Sequence, residues 1–191
     1  MQTRRHEIRT ARLILLNGPP GCGKSTVARR YVDEHPLALN LDIDHVRGLI
    51  GRWRDDPHTA GLLAREIALA AARVHLVAGH DVVVPQFLGR LTFIEQLERL
   101  AGDVVAAFHE VVLLDSKENT LRRFTERSRL AVEPGHVDAQ ELLDRSGGLA
   151  ELSAMYDRLV SIVGTRPGAR VVPVVEGDVD LTYAEVVRAL G

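Results

Sequence analysis

Residues Gly18-Pro-Pro-Gly-Cys-Gly-Lys-Ser25 have the spacing G-x-x-x-x-G-K-S, directly after the short apolar run Leu13–Leu16 and Asn17. Glycines in such a loop let successive backbone N–H groups turn inward, where they can surround phosphate oxygens. A helix opening at Ser25 would bring the positive end of its dipole to the same spot. Lys24 can extend a flexible ammonium to terminal phosphates, and Ser25 can offer its hydroxyl to a divalent cation. The first candidate site therefore comprises Gly18, Pro19, Pro20, Gly21, Cys22, Gly23, Lys24, Ser25 and Thr26. Cys22 reads as a small residue tolerated in the loop.

A second group lies in Leu41-Asp-Ile-Asp-His-Val-Arg47, after the next apolar run. Asp42 and Asp44 alternate, so only one would meet a substrate if the strand continued. Asp44 and Arg47 are three apart, and a helix starting there would put both near one face. A carboxylate at this place can accept a proton from an attacking hydroxyl, and an arginine can hold an anionic or polar group. The competing reading is an N-cap at Asp42 or Asp44 with Arg47 on the surface. Further candidates for an acceptor cleft are Gln86 and Arg90, after the run Asp81–Pro85, and Trp53, which stands between Arg52 and Arg54.

The elements that must position these residues follow from the pattern. Continuous apolar runs at Leu13–Leu16, Leu37–Leu41, Val82–Val84, Val111–Leu114 and Val171–Val175 predict strands covered on both faces. Between them the sequence predicts helices over Ser25–Glu34, Thr59–Ala78 (stopped by Gly79), Arg90–Ala101 (stopped by Gly102) and from Asp115 or Ser116 to Ser128. Two more are expected over Asp138–Arg145 and Leu149–Val163. A last one is expected from the capping box Thr182-Tyr-Ala-Glu185. Glu133-Pro134-Gly135 interrupts the helices and reads as a connection. This order predicts an α/β fold with five parallel strands and right-handed crossovers.

The 191 residues suit one domain, 1–191. With 24 Lys+Arg against 26 Asp+Glu and a net charge of −2, the chain lacks the bias of an electrostatic nucleic-acid or membrane binder. One cysteine excludes an intramolecular disulfide, and no apolar run approaches bilayer length, so the expected compartment is the cytoplasm. The histidines show no ligand spacing for a structural zinc. Only two cations are lysines, Lys24 and Lys117, and one of them occupies the loop position where a slender ammonium is required.

With these motifs the sequence resembles the P-loop kinases of small molecules: gluconate kinase, shikimate kinase, chloramphenicol phosphotransferase, zeta toxins and polynucleotide 5′-kinase. The resemblance is specific at Gly18–Ser25 (the Walker A motif), moderate at Asp44 and Arg47, and elsewhere rests on the order of elements. It implies a three-layer P-loop NTPase fold with sheet order 2-3-1-4-5 and a small helical lid at about 122–137. It also implies ATP with Mg²⁺ as phosphoryl donor, a small-molecule acceptor, and Asp44 as general base. Catalytic roles would fall to Lys24, Asp44 and Arg127, with Arg123 on the nucleotide phosphates and Gly177 beside the base. Asp44, Arg47, Trp53, Gln86 and Arg90 would meet the acceptor. No Walker B aspartate follows the third strand, which leaves Mg²⁺ to Ser25, with Asp42 or Asp44 as the further ligand. Two other classes stay open: a nucleotide-dependent switch without a small acceptor, and a nucleic-acid end kinase, which the charge balance disfavours.

Overall fold

The computed structural model describes residues 10–129 and 147–191, with the side chains of 127–129 outside the described set. In chain order the elements are β1 (Arg12–Asn17), α1 (Lys24–Glu34), β2 (Leu39–Asn40), α2 (Ile43–Gly48), α3 (Pro57–Val77) and β3 (Val82–Pro85). They continue with α4 (Leu91–Asp103), β4 (Ala107–Leu114), α5 (Lys117–Arg129), α6 (Gly148–Gly164), β5 (Arg170–Pro173) and α7 (Val179–Leu190). The strands form one parallel sheet in the order β2-β3-β1-β4-β5, as the resemblance implied.

Strand alternation sorts the apolar residues onto two faces. Leu13, Leu15, Val82 and Val84 pack against the alanine ridge of α3 (Ala64, Ala68, Ala72) and against Ile94 and Leu97 of α4. Ile14, Leu16, Val83, Val111 and Leu113 face Val27 and Tyr31 of α1 and Tyr183 and Val186 of α7. Both faces of β1, β3 and the second half of β4 are thus covered, which explains why these strands read as unbroken apolar runs, whereas three of the four residues of the edge strand β5 are exposed. Alanines at every fourth position let α3 lie close to the sheet. The phosphate loop, α2, the β3–α4 loop and the start of α5 all gather at the C-terminal edge of the strands, where parallel α/β sheets collect their ligands.

Several boundaries differ from the sequence-based expectation. The last helix begins at Val179, capped by Asp178, whose carboxylate accepts from Leu181 N at 2.8 Å. Thr182 is instead buried, its hydroxyl donating to the Asp178 carbonyl at 3.1 Å and accepting from Val175 N at 3.2 Å. Helix α4 runs through Gly102 to Asp103, and the left-handed turn that follows is made by Val105, at φ 58°. Strand β4 starts at Ala107 because its polar first half pairs with β1 as regularly as its apolar second half. The helix expected over Asp138–Arg145 and the connection at Glu133–Gly135 lie outside the described residues.

Candidate active site

The loop from Gly18 to Gly23 closes tightly on itself. Gly18 has φ 151°, and a Cβ there would stand 2.5 Å from the Leu113 carbonyl oxygen and 2.7 Å from Cys22 Sγ, so no side chain fits. Gly23, at φ 92°, is the N-cap of α1, and no side chain caps the helix. The first-turn N–H groups of α1 therefore stay open toward the loop, without an acidic residue beside them. Lys24 curls back over the loop and donates through Nζ to the carbonyls of Gly18 and Pro19, each at 2.9 Å. Cys22 is buried beneath it, with Sγ 3.7 Å from that ammonium. Ser25 and Thr26 expose their hydroxyls at the helix start. A closed glycine cradle, an open helix terminus, one ammonium and two free-standing hydroxyls fit a polyphosphate with a divalent cation.

Beyond β2, Asp42 takes the structural role. Its carboxylate caps α2 by accepting from Asp44 N at 2.9 Å and His45 N at 3.4 Å. That frees Asp44, whose side chain keeps 57% of its surface open to water and meets Arg47 at 3.2 Å. The cleft walls nevertheless crowd the carboxyl. Burial raises its pKa above the ordinary 3.8, against the opposing charge of Arg47; Asp42 adds to the rise, and Lys24 and His45 oppose it. Of the cations that oppose the rise, Lys24 belongs to the phosphate loop. Arg47 and Arg54 each lie 4.5 Å from the centroid of the Trp53 ring, a cation–π distance. Trp53 itself is only 8% exposed, so its visible contact is with these guanidinium groups.

Two asparagines and a glutamine complete the edge. Asn17 is fully buried. Its Oδ1 accepts from Gly18 N at 2.8 Å and Leu88 N at 2.9 Å, and its Nδ2 donates to the Leu88 carbonyl at 3.2 Å. This side chain ties the start of the phosphate loop to the loop after β3, where Gln86 also hydrogen-bonds through its backbone to Leu16. Buried polar atoms with no hydrogen-bond partner include Asn40 Oδ1 at the end of β2, Gln86 Oε1 after β3, and Arg47 Nε. Unpaired buried polar groups are rare and mark a place where another molecule can supply the partner. Arg90 is exposed at the N-cap of α4. Sequence reasoning passed over Asn17 and Asn40; the signal available was an amide at the C-terminal end of an otherwise apolar strand.

The opposite wall is α5. Gly21 approaches its backbone, with a would-be Cβ 3.9 Å from Phe124 Cα. Arg123 binds Asp115 at 2.6 Å, both side chains only 14% exposed, and its Nε is buried without a partner. Asp115 also accepts from Ser116 N at 2.6 Å and Asn119 Nδ2 at 3.1 Å. Arg122 reaches Glu176 at 2.6 Å, joining α5 to the loop that holds Gly177, itself at φ 75°. Arg127 lies on α5, but its side chain and the rest of the expected lid to residue 137 lie outside the described residues. Among the described residues no group of three or more His, Cys, Asp or Glu could hold a metal ion.

A parallel sheet ordered 2-3-1-4-5 with this glycine loop at its C-terminal edge defines a P-loop, kinase-like α/β protein. Residues 13–146, well over half of the chain, match the family model described as "AAA domain", and the chain belongs to that family. Similar solved structures include a presumed kinase from Chloroflexus aurantiacus, with a TM-score of 0.65 and 19% identity over 96% of this chain and all of that one. The tunicamycin resistance protein of Deinococcus radiodurans has a TM-score of 0.59 at 14% identity, over 95% of this chain and 96% of that one. A gluconokinase from Sinorhizobium meliloti has 0.56 at 18%, over 94% and 89%. At these identities the likeness is one of fold. The curated relatives matched include the genome polyprotein of feline calicivirus, 49% identical over 35 residues, which is 16% of this chain and 2% of the polyprotein.

Proposed function

We propose that the protein is an ATP-dependent kinase that transfers the γ-phosphoryl group to a hydroxyl of a small molecule. The observation that carries this reading is the placement of Asp44: freed from capping by Asp42, open to the cleft, and close enough to the phosphate loop to feel Lys24. A carboxylate with a raised pKa facing a phosphate site suits a general base toward an attacking hydroxyl. The fold shared with a gluconokinase supports phosphoryl transfer as the class of reaction.

In this reading the nucleotide phosphates lie along Gly18–Ser25, with the backbone N–H groups and Lys24 offsetting their charge. Mg²⁺, when bound, would be held by Ser25 with Asp42 or Asp44 and would neutralise charge on the phosphate oxygens. Asp44 takes the proton of the acceptor hydroxyl. Arg47, steadied over Trp53, together with Gln86 and Arg90, binds the acceptor. Arg123 and Arg127 of α5 offset charge on the transferred group, the segment at about 122–137 acts as the lid, and Gly177 borders the adenine. The whole chain then works as one kinase domain, and no nucleic acid or membrane is needed.

The test is ADP release from purified protein with ATP and Mg²⁺ across sugar acids, nucleosides, nucleotide sugars and antibiotics. Stimulation by one acceptor class, abolished in Lys24→Arg, is the expected result. Lys24→Arg keeps the charge but cannot place a single slender ammonium between two carbonyls 2.9 Å away. ATP turnover that no acceptor raises would overturn the reading.

A further inference from the structure

We propose that α3 is a homodimer interface, pairing antiparallel with α3 of a second copy of this chain. The inference stands apart from the kinase reading. Helix α3 is apolar on two sides. One side, Ala60, Ala64, Ala68, Ala72 and Leu76, is buried in the core. The other carries Leu63, Ile67, Ala70, Val74 and Val77, all exposed: Leu63 at 50%, Ile67 at 49%, Val74 at 73% and Val77 at 69%. A helix apolar on opposite faces is ordinarily covered on both.

Apart from Leu62, 48% exposed and off this stripe, the order of the exposed apolar residues points to what would cover them. The steps between 63, 67, 70, 74 and 77 are four, three, four and three, the heptad seam of a two-stranded coiled coil. The seam is about 21 Å long at 1.5 Å per residue. None of the described helices, α3 included, is long and apolar enough to cross a membrane.

Charge then selects a second copy in one orientation. Glu66 and Arg73 are the charged residues on one flank of the seam, one heptad apart and of opposite sign. In an antiparallel pair, Leu63 packs near Val74 of the second copy and Ile67 near its Ala70. Glu66 then faces Arg73 of the second copy, and the two-fold axis repeats the pair. In a parallel pair Glu66 would face Ala71 and Arg73 would face Ala78, leaving the charges without a role. Arg73 already meets the exposed Asp103 at 2.9 Å, and Glu66 of the second copy would approach that guanidinium from the open side. Helix α2, which carries Asp44 and Arg47, packs on α3, so the interface would back the acceptor wall of each cleft.

Sedimentation velocity and light scattering on the full chain at micromolar concentration test this. A dimer that becomes a folded monomer in Ile67→Arg, with the circular dichroism spectrum of wild type and a melting temperature that no longer depends on protein concentration, is the expected result. Val74→Glu, at the other end of the seam, should act alike and stands in should Ile67→Arg fold poorly. Glu66→Arg should raise the dimer Kd by about tenfold, since two surface pairs become repulsive, and Glu66→Arg with Arg73→Glu should restore it. A wild-type monomer, or a dimer indifferent to both Ile67→Arg and Val74→Glu, would overturn the interface. A Kd unmoved by Glu66→Arg, or a double variant that fails to recover, would overturn the antiparallel register.

Discussion

Two arginine–aspartate pairs flank the phosphate loop and are built in opposite ways. On the α5 side, Arg123 and Asp115 meet at 2.6 Å, both side chains 14% exposed, and the aspartate also receives two further hydrogen bonds. On the α2 side, Arg47 and Asp44 meet at 3.2 Å, the carboxylate open to water. The neighbouring Asp42 has absorbed the capping work that would otherwise occupy Asp44. The same pair of residue types is a brace on one wall and an available acid on the other. What separates them is how many of the aspartate's oxygen lone pairs the protein itself already uses.

Asp44→Asn is the sharpest way to break this comparison. Phosphoryl transfer should fall by about 10²-fold while nucleotide affinity holds, the scale of a lost general base. The wild-type rate should rise with pH through the raised Asp44 pKa, and that limb should vanish in the variant. The sign for stability is the reverse of an ordinary ion pair. A folded-state pKa above the unfolded value favours the protonated form, so this contribution is fullest below the ordinary 3.8 and is lost as pH rises through the folded pKa. At neutral pH Asp44→Asn should therefore melt no lower than wild type. Near-normal turnover would remove Asp44 from the chemistry.

Asn17→Ala tests the floor between the walls. It leaves the N–H groups of Gly18 and Leu88 and the Leu88 carbonyl unpaired in a fully buried place, so stability should drop by about 3 kcal/mol. In chemical denaturation the midpoint should move with an unchanged slope. Should the variant stay folded, KM for the acceptor should rise more than KM for ATP, because the β3–α4 loop loses its tether while Lys24 keeps its own.

Much of this arrangement was legible in the sequence, and the reason differs from residue to residue. Gly18–Ser25 could be read because the loop, its strand and its helix are contiguous, so the residues that would meet phosphate lie in one short stretch of chain. Strands β1, β3 and the second half of β4 could be read because burial on both faces leaves unbroken apolar runs; the runs Leu37–Leu41 and Val171–Val175 only approximate β2 and β5, edge strands that are half-buried and largely exposed. Asn17 could not, since its work depends on Leu88, 71 residues away, which only the parallel β1–β3 pairing brings near. The choice between Asp42 and Asp44 was open for a similar reason: either could cap, and the strand's end at Asn40 decides it. Thr182 offered a regular capping box, yet burial beside Val175 gave its hydroxyl another partner and left the cap to Asp178.

Arg123→Ala probes the brace. Removing the guanidinium leaves Asp115 without its ionic partner in a poorly solvated place, and the loss should be about 2 kcal/mol, below the larger cost of a fully buried pair. Thermal melts with and without nucleotide separate the two roles open to this residue. A brace alone lowers both melting temperatures equally. A phosphate ligand also shrinks the nucleotide-induced rise, by the drop in affinity.

The smallest effect belongs to Arg122→Ala. The contact with Glu176 is as short as that of Arg123 with Asp115, 2.6 Å, but both partners stand in solvent. Hydrogen bonding from Arg122 lowers the Glu176 pKa, so whatever the pair adds is present above the ordinary 4.5 and is lost as pH falls through the folded value. Surface pairs of this kind are screened by salt and repaid little of the entropy of holding two long side chains. The melting temperature of Arg122→Ala should match wild type at neutral pH and moderate salt. A clear drop there would mean that α5 and the Gly177 loop are held together mainly by this one pair. Equal distances on the same helix would then carry equal weight, and the contrast between solvated and desolvated pairs would fail where it is simplest to measure.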